Sequence, residues 1–429
     1  MKKKYRIILY TSIFLLCVVA SIILVVKKSN SVYEEESKPK VVKHKSMLSM
    51  NLEQTAGSGD YKTVTQSKWP TEGYKFNAEL SRCENGSTLS WDDTKKAVIV
   101  SGNLSDKCYV YFDIYQPTLA EYIKSQYTGT QGENNIYYHD SDLANGAGDN
   151  SYRYAGANPN NFVCFGSDTS PCPTDNLYRI IGVFGENYHG VTGKQLVKLI
   201  KYDYMTTDEL GTDGDYSQTY KEWGMDSTYK GTYGDGERIG VYYWNYKATG
   251  SATNTWSTSL LNKTNLNTNF INNIGTTWAN KIATVTWKVG GNTWANIGTK
   301  TSSVAYTNEI TNPVTTNTTD NATTYSAKIG LMYVSDYGFA ASPDAWTLTM
   351  SSYNNTTATN NNWMYMGLYE WTISRDADYS DNAFIVNYVG LVSSYYVSRN
   401  IGVRASFNLE SSVSYVSGSG SMSDPIVIN

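Results

Sequence analysis

The sequence predicts an α+β protein: a small all-β module, then a large mixed domain, with a single N-terminal transmembrane helix ahead of both. Three observations predict it. An uncharged run of twenty residues, Ile7 to Val26, stands near the start of the chain. Beyond it the composition turns to Tyr, Trp, Asn, Thr, Ser and Gly, a mix that favours short strands and polar loops. Helical spacing of apolar residues recurs after Pro117 and within 254–274, so helices join the strands.

The apolar run comes first. A helix rising ~1.5 Å per residue would carry it across ~30 Å, the thickness of a bilayer's hydrocarbon core. Lys2, Lys3, Lys4 and Arg6 precede it; Lys27 and Lys28 close it. The run is longer than the core of a secretory signal, and no small-x-small cleavage site follows. It reads as a signal anchor over 7–26 with a cytoplasmic tail over 1–6, against the competing reading of a cleaved signal. Lysine counting does not orient it, because Lys38, Lys40, Lys43 and Lys45 lie near the outer flank. The cysteines do. Apart from Cys17, four remain, as the local pairs Cys83/Cys108 and Cys164/Cys172. Neither pair has C-x-x-C spacing, so disulfides in an oxidising compartment are expected, with free buried thiols as the alternative. The bulk of the chain is therefore expected outside a cell membrane.

Residues 1–46 carry ten Lys/Arg and three Glu, about +7, which leaves about −11 for the remainder of a chain totalling −4. An acidic exported part without a basic, aromatic-interleaved patch excludes nucleic acid as a partner.

In chain order, 27–60 reads as a flexible polar linker. Residues 61–113 read as a small β module, with strand-like runs at 69–77, 87–93, 96–102 and 108–114 and a turn at Asn85-Gly86. A Cys83–Cys108 bridge would staple a unit too small to rely on its core alone. Residues 114–429 form the large domain. Pro117 suits a first helical turn, with Leu119, Tyr122 and Ile123 on one face. Clear strands follow at 176–185 and 194–203, then a helical unit at 254–274, a Thr/Asn-rich loop at 311–325, and a strand running into a turn at 328–340.

The last third holds LYEWTISR (368–375), AFIVNYVGLVSSYYVSRN (383–400) and IGVRASFNL (401–409). This order resembles the C-type-lectin-like fold in its formylglycine-generating-enzyme-like branch, with Glu370, Trp371 and Thr372 matching its E-W-T element and Gly402, Val403 and Arg404 its closing G-[FV]-R strand. The resemblance implies a C-type-lectin-like domain over 114–429. The segments at 158–185, 256–261, 335–341 and 417–429 also resemble a family of exported proteins from Gram-positive gut bacteria, over roughly 60–429. That likeness implies a fold and an exported location rather than a reaction. From the residues themselves, Trp371 is expected in the core and Arg404 as the ion-pair partner of Glu370, since an unpaired buried charge is costly.

The oxidase chemistry of that branch uses cysteine and metal, yet no cysteine follows Cys172. No catalytic residue is assigned. Three histidines (His44, His139, His189) and the absence of G-x-S-x-G give no triad signal. Asp376, Asp378 and Asp381 share a loop with hard oxygen ligands, so calcium is the one candidate cofactor, against a solvated acidic turn. The expected ligand-binding face lies between the two motif elements: Tyr379, Asn387, Tyr388, Ser393, Tyr395, Tyr396, Ser398, Arg399 and Asn400. Tyr and Arg suit binding hot spots. Tyr395 and Tyr396 point to opposite faces if extended, so one of them at most is expected to be exposed. The sequence therefore points to a membrane-anchored extracellular binding protein for a protein or glycan ligand. A cell-envelope hydrolase and a structural surface-layer component are the alternatives.

Overall fold

The computed structural model describes residues 48–65, 68–70, 73–103, 105–219, 229–233, 238–247, 249, 252–315 and 321–429. The tail expected over 1–6, the membrane helix over 7–26 and residues 27–47 of the expected linker lie outside these. Among the described residues no helix is long and apolar enough to cross a membrane. The chain divides into two compact units, Met1–Gln116 and Pro117–Asn429.

Of the described residues, 34% are strand and 21% helix, with the strands spread over several sheets. This corrects the α+β expectation, its lectin-like domain included: the chain is mainly β. The physical reason is the same composition that suggested strands. Asn, Thr and Gly compete with or loosen helical backbone, so helices stay short. The run Ile271–Ala279, for example, is interrupted at Gly275, where φ is 78°.

In the first unit, a four-stranded sheet runs in the order Tyr61–Val64, Leu48–Glu53, Cys108–Ile114, Tyr74–Cys83. Leu48–Glu53, expected in the flexible linker, instead pairs in parallel with Cys108–Ile114. Met50 and Leu52 explain this, because they bury against Val110 and Phe112. Cys108–Ile114 alternates cleanly, turning Cys108, Val110 and Phe112 inward. Trp69, Phe76 and Trp91 surround Phe112 with ring centroids 5.5–5.9 Å away. Cys83 and Cys108 are register partners on adjacent strands and form a disulfide.

The second unit opens with the helix Leu119–Ser125. Thr118 and Glu121 form a reciprocal capping box, and Leu119 and Ile123 are buried. Its largest sheet runs Ile329–Gly330, Ser406–Asn408, Leu196–Lys201, Leu177–Phe184, Ser151–Tyr154, Ile136–His139. Phe162–Cys164 pairs onto Leu177–Phe184 off that path, and the Cys164–Cys172 disulfide closes the loop beyond it. All eight residues of Leu177–Phe184 are buried, as a near-continuous apolar run requires. A side chain at Gly182 would run into the Tyr152 carbonyl, so only glycine lets these strands approach.

A six-stranded sheet runs Tyr216–Thr219, Gly240–Tyr242, Ile401–Gly402, Glu370–Arg375, Asn382–Val386, Val392–Tyr396. The closing segment 401–409 therefore serves both sheets: Ile401–Gly402 joins this one and Ser406–Asn408 the larger. Segment 328–340 also differs from expectation. Two residues of strand, Ile329–Gly330, are followed by the helix Val334–Ala340 rather than a turn. Asp336 accepts the Tyr333 N–H at 2.9 Å and caps the helix start.

Candidate functional site

The expected ligand face falls on an antiparallel hairpin, Asn382–Val386 and Val392–Tyr396, at the open edge of the six-stranded sheet. Ala383, Phe384, Ile385 and Val386 are all buried, so the first strand of the hairpin is covered on both faces. Not all nine candidates are free to bind. Asn387 builds the turn: its Oδ1 accepts the Val389 and Leu391 N–H groups at 3.0 and 3.1 Å. Ser393, Tyr395 and Asn400 are half-buried, and Ser398 and Arg399 are exposed. Tyr379, Tyr388 and Tyr396 are exposed by 57%, 42% and 53%.

A row of rings organises part of this face. Tyr388 lies 5.5 Å from Tyr369, Tyr369 lies 6.3 Å edge-on from Tyr395, and the Arg399 guanidinium sits 5.1 Å from the Tyr395 ring. Tyr396 and Tyr379 stand outside that row. Tyr369 was not among the expected site residues. Its position directly before the E-W-T element, one residue out of phase with buried Glu370, was the available signal.

Beneath the row, Arg404 meets Glu370 through two bonds of 2.8 Å and donates to the Met364 carbonyl at 2.7 Å. Both side chains are buried. Burial raises the Glu370 carboxyl, a shift that Arg404 opposes. Trp371 is fully buried and donates its indole N–H to the Tyr242 carbonyl. These three residues hold the sheet that carries the hairpin and touch no open surface.

The three aspartates do not gather. Asp376 is buried and accepts the Asp378 N–H. Asp378 is exposed and accepts the Trp294 N–H at 2.9 Å. The loop is gripped from inside by Asn254, whose Nδ2 donates to the carbonyls of Asp376, Tyr379 and Asn382 at 2.7–2.9 Å. Among the described residues no group of three or more His, Cys, Asp or Glu is arranged to hold a metal.

A cleft of about 620 Å³ opens in the same unit. Arg179, Lys230, Phe162, Tyr202, Trp363 and Met366 line it, together with asparagines 158, 160, 360 and 362. Among the described residues its lining contains two cations, no carboxylate and no histidine. Arg179 is only 6% exposed. Its Nε donates to Asn161 Oδ1 at 2.7 Å and its Nη2 to the Pro159 carbonyl at 3.0 Å. Its guanidinium lies between the rings of Phe162 and Trp363, 4.3 and 4.7 Å from their centroids. Burial lowers it to about 9, which leaves it charged at neutral pH. Sequence reasoning missed Arg179, although a lone charge inside the apolar run NLYRIIGVFG was the clue.

Cleft and row are joined by the chain itself. Trp363 and Met366 line the cleft and Tyr369, three residues on, stands in the row. The Tyr365 hydroxyl donates to the Tyr388 carbonyl at 2.7 Å, and Lys230 Nζ lies 4.7 Å from the Tyr365 ring.

The histidines lie elsewhere. His139 ends a strand of the large sheet and His189 a short helix, and both are buried. A further buried network joins Lys198, Asp336 and Tyr188, with Lys198 Nζ 2.6 Å from Asp336; it braces the helix that Asp336 caps. No protein-family model, curated protein or solved structure matches the chain, so no relative bears on the lectin-like resemblance.

Proposed function

We propose that the chain is an extracellular binding protein, held at a membrane through residues 7–26, whose C-terminal hairpin engages a glycan. The observation that carries this reading is the row Tyr388, Tyr369, Tyr395 and Arg399, which runs from the edge hairpin onto the residue before the neighbouring strand. Tyrosines present large, amphipathic faces with few torsions to freeze, and their rings stack against the C–H faces of sugars. Arginine at the end of such a row adds directional donors. The two disulfides are in keeping with an oxidising, extracellular setting. A hydrolase reading lacks comparable support, because the described residues of the cleft lining offer neither a carboxylate nor a histidine as general acid or base.

A glycan array probed with the full chain tests the proposal. Binding to a defined glycan class is expected. Tyr388→Ala and Tyr395→Ala should each weaken it by about 1–2 kcal/mol, roughly tenfold, with little change in thermal midpoint for exposed Tyr388 and a modest drop for Tyr395, which packs against the core. An array without binding, or variants that bind like the parent, would count against it.

A further inference from the structure

We propose that the cleft beside the tyrosine row binds the oxyanion of an acidic saccharide, with Arg179 and Lys230 as its cationic partners. The proposal rests on the glycan reading above for the carrier of the charge; the anion site itself rests on the cleft.

Arg179 is the central observation. The buried Arg153 and Arg404 meet carboxylates, Asp149 at 2.7 Å and Glu370 at 2.8 Å. Arg179 meets none among the described residues: its acceptors are neutral, Asn161 Oδ1, the Pro159 carbonyl and, at 3.5 Å, the Trp363 carbonyl. A guanidinium carries five N–H donors, and these three bonds leave two of them unused. Desolvating a cation without a counter-charge is costly, a cost that a bound anion relieves.

The setting is built for a planar anion. The rings of Phe162 and Trp363 fix the guanidinium plane, which suits two-point recognition of a carboxylate or phosphate. Lys230 adds a second positive charge at an exposed position of the lining. No acid among the described lining residues competes, although the chain beyond residue 46 is strongly acidic. Segment 363–369 then leads from the cleft wall to Tyr369, so one saccharide chain has a route from the anion site onto the row.

Calorimetric titration of the full chain with D-galacturonate, galactose 6-phosphate and galactose tests this. At least one charged sugar should bind about tenfold more tightly than galactose. Whichever it is identifies the carboxylate or the phosphate as the source of the oxyanion. The preference should shrink at about 0.5 M salt and fall several-fold in Lys230→Gln, which lies at the exposed edge and should fold. Arg179→Lys keeps the charge but removes the fork, and should abolish the preference. If that variant does not fold, Lys230→Gln and the salt dependence decide. Equal binding of all three sugars, or a preference untouched by Lys230→Gln and by salt, overturns the anion site. The two proposals fail separately. If galactose binding depends on Tyr388 and Tyr395 but no charge preference exists, the oxyanion site falls and the glycan face stands. A charge preference in variants whose tyrosines do not matter is the reverse result.

Discussion

Arg179 and Arg404 show how the same residue type takes two roles in one unit. Arg404 is neutralised by Glu370 and works as a brace; Arg179 has neutral acceptors and faces a cleft. The brace was within reach of sequence reasoning, because a buried charge near an acid on a neighbouring element demands pairing. The cleft residue was not, because which of several arginines lacks an anion depends on the tertiary neighbourhood. His139 supplies a prediction at this scale. Burial first, and Arg153 second, hold its imidazole well below the ordinary histidine range, so it is neutral when folded. Burial lowers His189 as well. The unfolded chain takes up these protons below ~6.5 while the folded chain refuses them, so stability is fully present above that pH and is lost as pH falls. His139 gives a slope of about 1.4 kcal/mol per pH unit below ~6.5, and His189 adds to it in the same direction. Urea unfolding at pH 7.5 and 5.5 should show the loss, and His139→Gln should flatten it. A stability independent of pH over that window would contradict the assignment.

Elements with long apolar runs were readable in advance: NLYRIIGVFG and KQLVKLIKYD became adjacent central strands because burial on both faces needs such runs. Segment 328–340 was not readable. Its Gly, Ala and aromatic content fits either state, and the helix start is held partly from far along the chain: Glu309 accepts the Val334 and Ser335 N–H groups at 2.8 and 2.9 Å, and Asp336 accepts that of Tyr333. The hairpin shows a similar limit, since Asn387 looks like a binding residue by type and acts as a turn-former by position. Gly390 at its tip has φ of 93°, and a side chain there would meet Thr359 at 2.6 Å. Its carbonyl also accepts the Tyr337 hydroxyl at 2.6 Å. Gly390→Val should therefore cost about 1–3 kcal/mol in denaturant unfolding and weaken glycan binding by displacing Tyr388. Unchanged stability and binding would mean that the tip does not position the row.

At the scale of the whole molecule, composition foretold short strands but not the class. The expected mixture of helix and sheet gave way to a mainly β chain because few of its segments sustain a helix. The flexible linker was overextended for a different reason: Leu48, Met50 and Leu52 alternate with polar residues at the period of a strand, a signal submerged in a polar, charged stretch, and Val110 and Phe112 receive them. Local spacing suggested the two cysteine pairs but left free thiols open; both disulfides are formed in the structure. Cys83 and Cys108 are 25 positions apart, and closing a loop of that length stabilises by about 3 kcal/mol. Cys83→Ser with Cys108→Ser should lower the calorimetric transition of the first unit accordingly and leave that of the second in place. A first unit as stable as before would show that its core suffices without the bridge.

The binding role is tested most directly by hydrogen–deuterium exchange on the full chain, with and without the glycan that the array selects. Slowed exchange confined to residues 363–369 and 387–400 is the predicted result. Protection elsewhere with these segments unchanged would place the ligand on another surface and contradict the account.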